Sequence, residues 1–496
     1  MKLSFFKDSL CTDRRFLIRA CAISLLLIFA AHAFCFFNLT YSADSVMLSV
    51  SRGRNAQTAG GQYLQPFYWR VRGGISSPLL VGLLSALYLT LSVILTAELL
   101  HLRSTAALFT LAGSLIVSPA VTSVCASSLH TADAAFLSLL LCAGGAFLLF
   151  RMRFGFLPAM CLLAAASALC ADAPACFAAF SLLALIQSVL SRASRRMCRL
   201  QAVCAAAALL GGLALYAAGH FVLLRAYGLD SSAALQTNRC ASLPDAWLYP
   251  VRMLFAPLTA YPSVSIVLRA LLLLCGAAAL LSVSGSLSAA RRAALVICVL
   301  ALPLAVNLPV FSAESADQTS LAFFLADALI ILLLWQNADS LFSCRMRRAA
   351  VCFYAVLFLG GAVFSNQVYL KKNLEYTSTL SVMTRVIDRM EQTPGYQSGA
   401  TPVAITGSLE DSVFAVPRAG FEHLEALDAA KDRYLSGSYD THVWYMWNIL
   451  GYPCNFVSSH EHALLENNEK VKAMPAFPQD GCCAFIGDTL VIRLSD

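Results

Sequence analysis

Between residues 39 and 76 four arginines, Arg52, Arg54, Arg70 and Arg72, surround a single acid, Asp44. A guanidinium presents a planar fork of donors that fits phosphate, so several together point to an anionic lipid headgroup or a phosphorylated substrate. The plain alternative is snorkelling of each side chain to the headgroup layer. Asp44 follows a long apolar run, where a carboxylate held at the water boundary can take a proton from a hydroxyl. Its plain reading is a loop acid or helix cap. Asp133 comes after His130-Thr131-Ala132 and opens another apolar run, as an N-cap or as a second functional carboxylate. Together these residue types point to an anionic lipid or phosphorylated substrate, with a carboxylate able to act as a base.

Further candidates lie along the chain. The segment 227–262 holds Asp230, Arg239, Asp245 and Arg252 beside Trp247-Leu248-Tyr249-Pro250, as expected of interfacial helices interrupted by proline. Arg252 is the cation there that a lipid phosphate would meet. Asp172 stands before Pro174, and Glu98 near the end of an apolar run. Asp327 lies within a run, where an acid must face a partner or a cavity. Arg269 is a candidate partner, though no sequence feature pairs the two. There is no glycine-rich phosphate loop, no Ser/His/Asp arrangement and no paired Cys-x-x-Cys, so a zinc site is not expected. Cys454 could bridge to Cys482 or Cys483, or all three could be free thiols. His442, His460 and His462 read as surface residues, with His460-Glu461-His462 a weak metal hint.

The elements that must position these residues follow from composition. Of 496 residues, 59% are hydrophobic and 13% charged, against about 25% charged in a soluble domain. Such a chain is a polytopic membrane protein. Eleven apolar runs read as spans, roughly 16–38, 77–101, 105–125, 132–150, 155–173, 174–191, 201–226, 263–285, 293–311, 319–336 and 348–368. The first has Ala31-His32-Ala33 near its end, which imitates a cleavable signal, but its length reads as an uncleaved helix. With a cytoplasmic N-terminus, 17 basic residues fall on one side, and the chain from 371 onward lies outside. The net charge of +7 divides into +13 for residues 1–370 and −6 for 371–496. The basic residues sit in short loops rather than in one patch, which speaks against nucleic acid.

Two stretches resemble the bacterial GtrII-type glucosyltransferase family of the GT-C superfamily. One is Asp44-Ser45, then Gly61-Gln62-Tyr63-Leu64-Gln65-Pro66-Phe67-Tyr68, then Arg72-Gly73-Gly74-Ile75-Ser76-Ser77-Pro78 through Ser85. The other is Ser118-Pro119-Ala120-Val121-Thr122 through Asp133. The tail, from Thr393-Pro394-Gly395-Tyr396 to Asp488-Thr489-Leu490-Val491-Ile492-Arg493-Leu494, is also similar. Two positions depart: Gln62 stands where the family has arginine, and Cys170-Ala171-Asp172-Ala173 replaces a Tyr-Gln pair. Arg52 or Arg54 would supply the missing cation.

The resemblance implies a GT-C-like membrane domain over 1–370 and an extracytoplasmic domain over 371–496. It implies a polyprenyl-phosphate sugar donor, such as one carrying glucose, and a cell-surface glycan acceptor, at the outer face of the cytoplasmic membrane. In that scheme Asp44 is the general base, and Arg70 and Arg72, with Arg52 or Arg54, stabilise the leaving phosphate. Asp133 binds acceptor hydroxyls or orients a partner. No cofactor is required, and a divalent cation could be accommodated. Two rivals remain: a flippase of a lipid-linked sugar, which keeps Asp327 and Arg269 in view, and an inactive scaffold whose outer domain binds a partner. The tail itself reads as α/β, with a strand at Pro402–Thr406, a helix from His442 to Leu450, one helix over Glu461–Lys472, and a terminal hairpin turning at Gly487-Asp488.

Overall fold

The computed structural model describes residues 14–38, 55, 57–74, 77–127, 129–229, 243–255, 262–308, 320–336, 341–408, 420–424, 427–430 and 439–495. Asp44, Arg52 and Arg54 lie outside the described residues. The chain forms two compact units, the first ending at Asn366 and the second built mainly on Gln367–Asp496.

The first unit is helical. In order it contains α1 (Arg14–Phe37), the short α2 (Gln65–Val71), α3 (Pro78–Leu99), α4 (Thr105–Ile116), α5 (Pro119–Ser127), α6 (Leu129–Arg151), α7 (Phe156–Ser167) and α8 (Ala173–Leu190). There follow α9 (Arg195–Tyr227), α10 (Leu243–Met253), α11 (Pro262–Gly285), α12 (Ala289–Val306), α13 (Phe324–Gln336) and α14 (Leu341–Glu391). Helices satisfy every backbone polar group internally, which a lipid-embedded segment must do. Among the described residues nine helical stretches are long and apolar enough to cross a membrane, with α4 and α5 counted as one. This is the architecture of a multi-pass membrane protein.

Two of the eleven expected spans differ. Segments 155–173 and 319–336 hold only α7, of 12 residues, and α13, of 13. At 1.5 Å per residue each is roughly 18–20 Å long, short of the hydrocarbon thickness of about 30 Å. The cause is local: α7 stops at Ser167, and the turn through Asp172 leads into Pro174 at the start of α8. Packing joins α1 to α3 and α4, α7 to α9, α8 to α12, and α11 to α13.

A local break separates α4 from α5. Val117 and Ser118 interrupt the helix, and Pro119 restarts it. The freed carbonyl of Ile116 accepts a hydrogen bond from His32 Nε2 at 2.8 Å. Ser118 Oγ accepts from the amide of Val121 at 3.3 Å, so both sides of the interruption have partners.

The second unit carries a four-stranded sheet, ordered β2 (Asn455–Phe456), β1 (Pro402–Thr406), β4 (Thr489–Arg493), β3 (Cys483–Ile486). β1 runs parallel to β2 and to β4, and β3 pairs antiparallel with β4. The strand and the hairpin fall where the sequence indicates. Ile486 faces Thr489 across a two-residue turn whose Gly487 has φ +64°. Met383, Val386 and Met390 of α14 are buried with Val403, Ile405, Leu490 and Ile492. The helix expected over His442–Leu450 starts three residues earlier, as α15 (Tyr439–Trp444), and continues as a π-helical turn over Tyr445–Ile449. The expected single helix over 461–472 is two, α16 (Ser459–Glu466) and α17 (Glu469–Lys472). Asn468 starts the second by accepting from the Lys470 amide, a side-chain bond that competes with helix continuation. His442 and His462, expected at the surface, are buried, and the His462 ring bonds the carbonyl of Ile405 at 2.8 Å. The described cysteines are all free, including Cys454, Cys482 and Cys483.

Candidate functional site

Asp133 is fully buried in α6, five residues into the helix and so past the N-cap position. One carboxylate oxygen accepts from Arg72 Nη1 at 2.6 Å and from the amide of Ala134 at 3.1 Å. The other accepts from the Tyr68 hydroxyl at 2.9 Å. Tyr68 also lies 3.3 Å from the hydroxyl of Tyr88 on α3.

The local sequence explains the meeting. Pro66 opens α2, whose single helical stretch brings Tyr68 and, at its C-cap, Arg72 to the same neighbour. Gly73 and Gly74 then take positive φ, +96° and +71°, a backbone conformation that ends α2 and that glycine adopts without strain. Arg72 and Asp133 are 2% and 0% exposed at their side chains. Such a pair is held by its hydrogen bonds as much as by charge, because both ions have been removed from solvent. Burial, the bond to Tyr88 and the charge of Asp133 push the Tyr68 phenol far above its usual range, so it stays protonated and donating.

The structure therefore joins Arg72 and Asp133, both singled out in the sequence. Arg70 is exposed at the last turn of α2, and Arg252 is exposed on α10. Neither is a partner of Asp133. Sequence reasoning missed Tyr68 and Tyr88 as members of the cluster. The signal was present: Tyr68 lies within the aromatic run Phe67-Tyr68-Trp69, one helical turn before Arg72.

A second buried pair exists. Arg269 of α11 donates through Nη1 to both oxygens of Asp327 on α13, at 2.5 and 2.6 Å. The two residues line a cavity of about 40 Å³ together with Tyr354 of α14 and residues flanking the α4–α5 break. Asp172 accepts from the Leu321 amide at 2.9 Å, and Glu98 pairs with Arg103 at 3.0 Å. Among the described residues no cluster of three or more His, Cys, Asp or Glu has the geometry to hold a metal ion.

No sequence family, no curated protein and no solved structure matches the chain. The multi-pass helical fold and the site geometry are therefore the ground for any functional reading.

Proposed function

We propose that the protein is a membrane glycosyltransferase that moves a sugar, such as glucose, from a polyprenyl-phosphate donor to a cell-surface glycan at the outer face of the membrane. One observation carries this reading. The two stretches that resemble the GtrII-type family, about 60 residues apart, meet through Arg72, Tyr68 and Asp133. A contact of that kind fixes the end of the first long connection onto the bundle.

In the proposed reaction the acceptor hydroxyl oxygen attacks the anomeric carbon, and the bond from that carbon to the donor phosphate breaks. Asp44 takes the hydroxyl proton. The polyprenyl phosphate leaves with the electron pair, its charge stabilised by cations at the bilayer edge. Arg70 and Arg252, both exposed, would meet the headgroup; Arg52 or Arg54 would add to them. Both oxygens of Asp133 are occupied, which suits orienting Arg72 better than binding acceptor hydroxyls. An odd number of spans, nine or eleven, with a cytoplasmic N-terminus would put residues 371–496 outside, as acceptor-binding surface or lid.

The flippase reading has an observation of its own, the Arg269–Asp327 pair at a cavity inside the helical unit. Membrane-embedded charge pairs recur along translocation routes. Membranes containing Asp44→Asn, incubated with a labelled polyprenyl-phosphate sugar and native glycan, decide between the two. Loss of label transfer is expected. Transfer at the wild-type rate would overturn the assignment of the base, and donor translocation without any transfer would replace the transferase with the flippase.

A further inference from the structure

The cavity beside Arg269 is rich in donors whose partners are missing. Asp327 engages only Nη1 of Arg269. The other guanidinium N–H groups have no partner among the described residues, although the side chain is only 22% exposed. The Tyr354 hydroxyl is buried with no hydrogen-bond partner among the described residues, and so is the hydroxyl of Ser114. All three residues line the same cavity. A buried polar group without a partner costs roughly 1–3 kcal/mol, so two hydroxyls left this way around one space indicate a ligand or water that completes them.

The fourth wall is the α4–α5 break. Ser118, Pro119 and Ala120 line the cavity. Pro119 has no N–H, so the Ala120 amide is the first that α5 offers. A helix N-terminus carries positive potential, and a broken membrane helix whose half-helix starts at a site is a recurrent way of holding an anion. At roughly 10–15 Å³ per water centre, about 40 Å³ holds about three waters, or the oxygens of one tetrahedral oxyanion. Donors from a guanidinium, two hydroxyls and a helix start suit an oxyanion and not a cation.

We propose that this cavity binds one phosphate-type oxyanion, held by Arg269, Tyr354 and Ser114 at the start of α5, with Asp327 as the internal carboxylate that competes for Arg269. The identification of that oxyanion as the phosphate of a lipid-linked donor rests on the transferase reading, in which Arg70 and Arg252 would first meet the donor at the bilayer edge before its phosphate enters the cavity; the oxyanion site itself does not rest on it.

The test uses the full-length protein in lipid nanodiscs, titrated calorimetrically with inorganic phosphate, farnesyl phosphate and farnesol. Binding of farnesyl phosphate is expected to weaken about tenfold in Arg269→Gln/Asp327→Asn, which removes both charges together, and several-fold in Tyr354→Phe. Asp327→Asn alone is expected to tighten it, a sign that a purely structural ion pair would not produce. Farnesol binding should be unchanged in all three. If inorganic phosphate shows the same dependence and farnesyl phosphate gains nothing over it, the source is free phosphate and the lipid identification fails. If neither phosphate probe responds to Tyr354→Phe or to Asp327→Asn, the cavity holds water only and the proposal is overturned. Arg269-dependent binding in a protein that transfers no sugar would sink the transferase reading and leave the site standing. Sugar transfer with unaltered donor affinity in Asp327→Asn and Tyr354→Phe would sink the site alone.

Discussion

Asp133 shows how much one carboxylate can organise. Its two oxygens hold an arginine, a tyrosine and an amide with no solvent exposure. Removing one member of a buried ion pair leaves the other charged and unpaired, a loss of about 3–5 kcal/mol. Arg72→Ala and Asp133→Ala are each expected to lower thermal stability by that order. Because the partners share one interaction, the double variant should cost far less than the sum of the singles; additive losses would show that the pair is not coupled. His442 gives a pH dependence of opposite origin. Burial, with His462 nearby, pushes its pKa down to about 3 from 6.5, and neither ring nitrogen has a hydrogen-bond partner among the described residues. The unfolded chain takes up this proton near pH 6.5, so stability of the second unit is full above that pH and falls as pH drops toward 3. Thermal unfolding at pH 5 against pH 7.5 should show the loss, and His442→Phe should flatten it.

At the scale of elements, close backbone approach decides which helices pack. Gly155 joins α6 to α7, and a Cβ there would lie 1.9 Å from the carbonyl oxygen of Leu148. No rotamer relieves contact with backbone, so Gly155→Ala should force the α6–α7 turn apart. Overpacking of this kind costs about 1–3 kcal/mol, readable as a lowered melting temperature in detergent. Sequence patterning located nearly every helix, because long apolar runs leave few alternatives. It misjudged lengths at α7 and α13, where turn residues end an apolar run that hydropathy alone would continue. It also merged α16 with α17, since both are polar and only the Asn468 side chain separates them.

For the whole molecule, the charge asymmetry makes a claim about sidedness. A reporter enzyme that folds only outside the cytoplasm, fused after Ser495, should be active, and the same reporter inserted after Ser194 should be inactive. The reverse pattern would overturn the orientation drawn from 17 basic residues. The α14 helix, 51 residues long, runs from the apolar unit into the unit that carries the sheet, so the composition change near residue 370 occurs inside one element rather than at a loop.

By itself the sequence determined that the chain is a multi-pass membrane protein with an α/β tail. It also determined where the apolar runs lie and which few charged residues need an explanation. Those follow from composition and periodicity, which are local. Only the tertiary structure decided that Arg72 meets Asp133 across 61 positions and Arg269 meets Asp327 across 58. The sequence marks a charge inside an apolar run as needing a partner, but not which one; that choice is made by which helix faces come together, and by the cost of burying either charge alone.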